Sequence, residues 1–140
     1  MNELYQNLIL DHNKNPKNYG SILVPTHTIV EFNPFCGDEI KIYLIIKGVI
    51  MQDIKFESCG CAISKASASL MCEEVKSKKI SDIFALIEMF LSMLSGNTKS
   101  SSLNFKLNAF SNINKYPNRI KCASLAWHAL QKAIEEGQLK

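Results

Sequence analysis

The sequence predicts an α+β fold: an N-terminal helix, a three-stranded antiparallel sheet, and further helices packed on one face of that sheet. Three observations carry this. Apolar residues recur at helical spacing near the start of the chain, alternate with polar ones from about Thr26 to Phe56, and from Cys61 onward sit among helix formers. The strand-like segments are consecutive and joined by short turn signals, which suits an antiparallel meander.

Asn2 is a plausible N-cap for the first helix, with Glu3 in its first turn. Leu4 and Leu8, with Tyr5 and His12, mark its inward face, and Asn15-Pro16 and Gly20 end it. Ile29, Val30 and Phe32 make a first strand that breaks at Pro34 and Gly37-Asp38. Ile40, Ile42, Leu44 and Ile46 alternate along a second strand. Lys47-Gly48 marks a hairpin, and Ile50, Gln52, Ile54 and Phe56 continue the alternation as a third strand. Gly60 ends the sheet. Ala62, Ala66, Ser69, Leu70 and Val75 then give a helix with a small-residue face. Ser81 is the cap candidate for the next helix, with Asp82 in its first turn. A polar loop from Gly96 to Leu103 and an irregular stretch to Ile113 precede Pro117, which sits just before a final helix of about 18 residues ending near Gly137.

A chain of 140 residues without an internal repeat or linker reads as one domain spanning residues 1–140. Its composition, 46% hydrophobic and 21% charged, is that of a globular protein. A net charge of +3, with lysines spread along the chain, gives no basic patch for nucleic acid. The opening residues show neither a secretory signal nor a transit peptide. The longest apolar stretch, Ile83 to Leu94, is interrupted by Glu88 and is too short to span a bilayer. The expected compartment is the cytoplasm, with no membrane partner. Five cysteines, an odd number with no secretory signal, argue against a disulfide framework. They are core fillers, metal ligands or reactive thiols.

Cys36 lies in Pro34-Phe35-Cys36-Gly37-Asp38, at the turn between the first two strands. The intervening glycine permits a tight turn, so thiolate and carboxylate can converge on one ion. Cys61 follows Gly60 at a helix start, where free N–H groups and the helix dipole favour thiolate. Cys122 is early in the last helix. Three thiolates and one carboxylate from three segments match a four-coordinate zinc set, and equally the ligands of an iron–sulfur cluster. Spacing by itself, with no compact CxxC pair, favours three buried apolar thiols. Cys72 is eleven residues after Cys61, on the same helix face but about 16 Å further along, and reads as core. Cys59 is an alternative ligand, a second sulfur-accepting thiol or, preferably, a half-exposed bystander. His128 points away from Cys122 around the helix. His12 sits near a helix C-terminus, where a cationic ring suits the dipole. His27 opens a strand with no visible partner.

The motifs add what spacing lacks. Leu4-Tyr5, Ile9-Leu10-Asp11-His12, Asn15-Pro16 and Asn18, then Asn33-Pro34-Phe35-Cys36-Gly37-Asp38, then Gly60-Cys61-Ala62-Ile63-Ser64 followed by Ala66-Ser67-Ala68-Ser69, and finally Pro117, Arg119 and Lys121-Cys122-Ala123-Ser124-Leu125-Ala126-Trp127 run nearly end to end. The chain resembles the NifU/IscU-like iron–sulfur cluster assembly proteins, and most closely their SufU branch. Lys121 stands where IscU-type scaffolds carry a histidine. The stretch from about Ser100 to Tyr116 resembles the SufU insertion, and the proline-rich chaperone-recognition motif of IscU proteins is missing before Cys122.

The resemblance implies an IscU/SufU-like domain that serves iron–sulfur cluster biogenesis. It implies zinc held by Cys36, Asp38, Cys61 and Cys122, with Cys36 as the catalytic sulfur acceptor. It also implies a SufS-type cysteine desulfurase as partner, whose pyridoxal phosphate belongs to that enzyme, and downstream iron–sulfur assembly or acceptor proteins. On this reading the chain is a zinc-dependent sulfurtransferase. The alternative is a non-enzymatic scaffold that binds a [2Fe–2S] cluster with the same ligands. A third possibility is a zinc-stabilised interaction domain without chemistry. A centre of three thiolates, one carboxylate and Zn²⁺ carries a formal charge of about −2 and calls for nearby donors or positive charge. Lys121 and Arg119, beside Cys122 in sequence, are the supporting candidates.

Overall fold

The computed structural model describes residues 3–34, 37–96, 106–111 and 113–137. The expected cap Asn2 lies outside them. Helix α1, Glu3–Lys14, stops before Asn15-Pro16, where proline removes a donor. Ile9 and His12 are buried, with Tyr5 and Leu8 packed partly against the core. Leu4, assigned inward by its spacing, is 55% exposed, because the buried stripe runs through Ile9 instead.

Strands β1 (His27–Asn33), β2 (Asp38–Lys47) and β3 (Ile50–Cys59) form the expected antiparallel sheet in that order. Its inward face is Ile40, Ile42, Leu44, Ile54 and Phe56, all wholly buried. Val30, Phe32, Glu39 and Lys41 face solvent on the other side. The alternation along β3 does not hold at its start: Met51 is buried and Gln52 exposed. The register slips between Ile45 and Ile46, which pair with Asp53 and Met51. Gln52 is the extra residue of that bulge, and one extra residue exchanges the two faces beyond it.

The free edge of β3 is stitched at both ends. Phe56 N–H donates to the Asn18 carbonyl at 3.1 Å, and Gly20 N–H donates to the Phe56 carbonyl at 2.9 Å. Met51 N–H donates to the Lys78 carbonyl at 2.9 Å, and Ser77 N–H donates to the Met51 carbonyl at 2.7 Å. This pairing also corrects the start of the next helix. Helix α3 is Ile80–Leu94, and its N-cap is Lys79, not Ser81. The Ile80 N–H is taken by the Val49 carbonyl at 2.8 Å, so a backbone oxygen of the hairpin fills a capping role.

Helix α2, Ala62–Val75, precedes α3 and occupies the centre of the molecule. Every residue from Ala66 to Cys72 is buried, so α2 is enclosed all round rather than along one small-residue face. It packs against α1, β3 and helix α4, Pro117–Gly137. Pro117, expected just before α4, is its first residue, and the helix is longer than its pattern implied. The irregular stretch before it contains two 3-10 turns, Leu107–Phe110 and Ile113–Lys115, and places Leu107, Phe110 and Ile113 in the core. The polar loop expected there lies almost wholly outside the described residues. Trp127 stacks on Phe90 at 4.1 Å, and Phe90 meets Phe110 edge-on at 5.8 Å. The wholly buried Ser67 hydroxyl donates to the Ala123 carbonyl at 2.6 Å and accepts from Trp127 Nε1 at 3.0 Å. This ties α2 to α4 in a fixed register.

His12 is not a cationic helix end. It is 2% exposed, with Nδ1 2.7 Å from Ser69 Oγ, which also accepts the Lys17 N–H at 2.7 Å. The pair clasps α1 and its following loop onto α2. Burial lowers the His12 pKa from its ordinary 6.5, against the attraction of Glu73 for the charged ring. As pH falls, the unfolded chain therefore binds this proton first. The stabilisation is complete above the unfolded value and is lost as pH drops below it towards the lowered folded one. The urea midpoint should fall between about pH 7.5 and about pH 5.5, and His12→Asn should flatten that fall while lowering the midpoint at the higher pH. A His12→Asn profile parallel to the native one would assign the dependence elsewhere.

Candidate metal centre

The site forms where the first hairpin meets the start of α2. Asn33, the buried last residue of β1, pairs with Asp38, the first residue of β2. The Asn33 carbonyl accepts the Gly37 N–H at 2.9 Å, which closes the turn. Gly37 has φ +72, a left-handed value that side chains disfavour. Asp38 then falls on the inward face of the sheet, with no solvent exposure.

At the other end of β3, Gly60 has φ +141 and turns the chain into α2. Cys61 is the N-cap, in extended conformation, and its Sγ accepts the Ser64 N–H at 3.4 Å. The Cys61 N–H donates to Asp38 Oδ1 at 2.8 Å, and the Cys61 thiol faces Asp38 Oδ2 at 3.6 Å. A Cβ added at Gly60 would lie 2.1 Å from Asp38 Oδ1 and 2.9 Å from Asp38 Cα. Only glycine fits between the sheet and the carboxylate.

Cys122, 4% exposed in the first turns of α4, completes the cluster: ligand atoms of Asp38, Cys61 and Cys122 all lie within 4.8 Å of one another. Two sulfurs bound to one zinc in an ideal tetrahedron are about 3.8 Å apart, so small side-chain adjustments suffice. The chemistry of the set also fits a cation. A wholly buried carboxylate beside two thiols is costly as an anion unless positive charge or donors meet it, and two thiols plus a carboxylate are zinc-type donors.

The cluster therefore unites three of the four ligand candidates read from the sequence. Cys36 lies outside the described residues. Arg119 and Lys121 are both exposed; the donors described around Cys61 and Asp38 are backbone N–H groups of Cys61 and Ser64, at the helix start where free N–H groups were expected. Cys59 is exposed and paired with Glu39 at the end of β3. Cys72 is wholly buried, and burial pushes its thiol far up, so it is inert core. His128 is exposed. His27, read as lacking a partner, has Nδ1 2.7 Å from its neighbour Thr26 Oγ1. Sequence reasoning missed the side-chain cap that Cys61 Sγ makes on the Ser64 N–H, whose three-residue spacing was the available signal. It also missed the contact between Gly60 and Asp38, which depends on strand pairing across 22 residues and leaves no local mark.

A meander whose open end joins a carboxylate to two thiols, one at a helix N-cap and one in the first turns of α4, defines a small α+β protein with a candidate thiol–carboxylate metal site. The chain belongs to the NifU-like N-terminal domain family, whose model matches residues 4–140. It is 39% identical over 140 residues to the zinc-dependent sulfurtransferase SufU of Bacillus subtilis strain 168, covering 98% of this chain and 95% of that one. It is 37% identical over 135 residues to the iron–sulfur cluster assembly scaffold protein IscU of Thermotoga maritima, covering 95% and 94% of the two chains. Among solved structures it resembles a putative iron–sulfur cluster assembly scaffold protein for the SUF system from Fervidobacterium islandicum AW-1, with TM-score 0.86, 31% identity and coverage of 91% and 93%. A NifU-like N-terminal protein from Brucella abortus shares the fold at TM-score 0.88 and 23% identity. No helix among the described residues is long and apolar enough to cross a membrane.

Gly60→Ala should cost about 1–3 kcal/mol of stability in the presence of chelator, from the disfavoured φ and the displaced carboxylate. It should also weaken metal binding at this candidate site. Denaturant unfolding and metal analysis check both, and a Gly60→Ala protein with wild-type stability and metal content would contradict the close approach described here.

Proposed function

We propose that this chain, acting as a single cytoplasmic domain, accepts sulfur for iron–sulfur cluster biogenesis from a SufS-type cysteine desulfurase and passes it to downstream assembly or acceptor proteins. The observation that carries the proposal is the buried convergence of Asp38, Cys61 and Cys122 within 4.8 Å. Cys36, two residues before Asp38 in sequence, is the proposed fourth donor and the acceptor thiol. Zinc, when bound to these four residues, holds thiols deprotonated at neutral pH.

Within this reading the residues divide their work by what holds them. Asp38 and Cys61 are fixed to each other by the backbone bond at 2.8 Å. Cys122 is fixed through α4. Cys36, which the sequence pattern puts at the turn between the first two strands, is the donor best suited to leave. Its thiolate attacks the outer sulfur of the desulfurase persulfide. A new S–S bond forms on Cys36, the enzyme's S–S bond breaks, and the enzyme cysteine departs as thiolate. Identity to a zinc-dependent sulfurtransferase over nearly the full length supports this reading. So does Lys121, where scaffold-type relatives carry histidine. The second reading, a scaffold for a [2Fe–2S] cluster on the same ligands, is favoured by the similarity to IscU of Thermotoga maritima.

The test is desulfurase turnover with and without this protein. Wild type should stimulate it strongly, Cys36→Ser should return it to the level of the desulfurase alone, and Cys59→Ser should behave as wild type. Normal sulfur acceptance by Cys36→Ser would shift the acceptor role to the exposed Cys59.

A further inference from the structure

Ser64 is 2% exposed, yet its hydroxyl oxygen has no hydrogen-bond partner among the described residues. A buried hydroxyl without a partner is unfavourable and uncommon, and it needs an explanation. The wholly buried Ser67, one turn further along α2, shows the contrast: its hydroxyl both donates and accepts.

The position of Ser64 supplies the explanation. It is the third residue of α2, and from there a side chain reaches back over the N-cap, here Cys61. In a capping box the side chain at this position accepts the N-cap N–H. That N–H is already given to Asp38 Oδ1 at 2.8 Å. The Ser64 backbone N–H meanwhile points at Cys61 Sγ, 3.4 Å away. The hydroxyl is thus buried with its proton unassigned, on a residue whose own backbone N–H is given to a ligand sulfur.

We infer that the Ser64 hydroxyl is a positioning donor to thiolate sulfur in the filled site, joining its own backbone N–H on Cys61. The inference rests on the metal-site reading above. A neutral thiol is a poor acceptor, while a thiolate is a good one, so the hydroxyl gains its partner only when the site is charged. The same group is therefore a liability in the metal-free protein and an asset in the loaded one. Donors of this kind typically raise metal affinity by about 10- to 100-fold.

The sign reversal gives the experiment. Wild type and Ser64→Ala are compared for zinc affinity by competition with a chromophoric chelator, for the sulfur-to-metal charge-transfer band with Co²⁺ as probe, and for urea midpoint after chelator treatment. Ser64→Ala should lose about tenfold in zinc affinity and shift the Co²⁺ band, while its metal-free midpoint stays equal or rises. Zinc affinity within about twofold of wild type would overturn the inference and leave the metal site standing. So would a metal-free midpoint that falls along with the affinity, since that marks a purely structural hydroxyl. A wild-type protein that takes up no zinc would overturn the metal site itself and this inference with it.

Discussion

The contact between Asp38 and the Cys61 backbone is the interaction on which the rest of the site depends. It joins the first residue of β2 to the N-cap of α2, so it links the sheet and the central helix at one point. The carboxylate is wholly buried, and its capture of a helix N-terminal N–H offsets part of that burial. The geometry in turn demands glycine at position 60, because a methyl group there would overlap Asp38 Oδ1. Asp38, Gly60 and Cys61 therefore act as one unit: a change in any of them moves the other two.

The third donor is brought in by a different device. Cys122 has no strand pairing to fix it, so its place depends on how α4 lies on α2. The Ser67 hydroxyl sets that register by bonding to the carbonyl of Ala123, the residue after Cys122, and to the Trp127 ring. Trp127 is clamped in turn by Phe90 of α3. The aromatic core and the cluster of Asp38, Cys61 and Cys122 are thereby coupled through a single buried serine. Of the three serines in this central helix, Ser67 locks α4, Ser69 clasps α1 through His12, and Ser64 gives its backbone N–H to Cys61 Sγ. The Ser67 and Ser69 hydroxyls connect α2 to different helices, while that of Ser64 has no partner among the described residues.

Much of this architecture is legible in the sequence because it follows local periodicity. The helix, meander and helix order, the hairpin at Lys47-Gly48 and the burial of Cys72 all come from spacing of 2 or 3.6 residues. What spacing missed lies where distant backbone intervenes. Gln52 reads as inward until the bulge opposite Ile45 and Ile46 reverses the face. Ser81 reads as a cap until the Val49 carbonyl takes the N–H ahead of it. His12 reads as a helix-end ring favoured by the dipole until Ser69, 57 residues away, supplies a buried partner. The candidate ligands were named from motif resemblance rather than from spacing, which by itself favoured three buried thiols. The gathering of Asp38, Cys61 and Cys122 at one point is a property of the register and of the helix packing together.

The central claim is that one buried thiol–carboxylate site takes zinc and handles sulfur without storing it. The most direct test is the metal and acid-labile sulfide content of untagged protein purified without chelators. The account predicts about one zinc per chain and no sulfide, the stoichiometry of a single four-ligand site. Iron with matching sulfide would put a cluster scaffold in its place, and a folded protein without metal would contradict the site altogether.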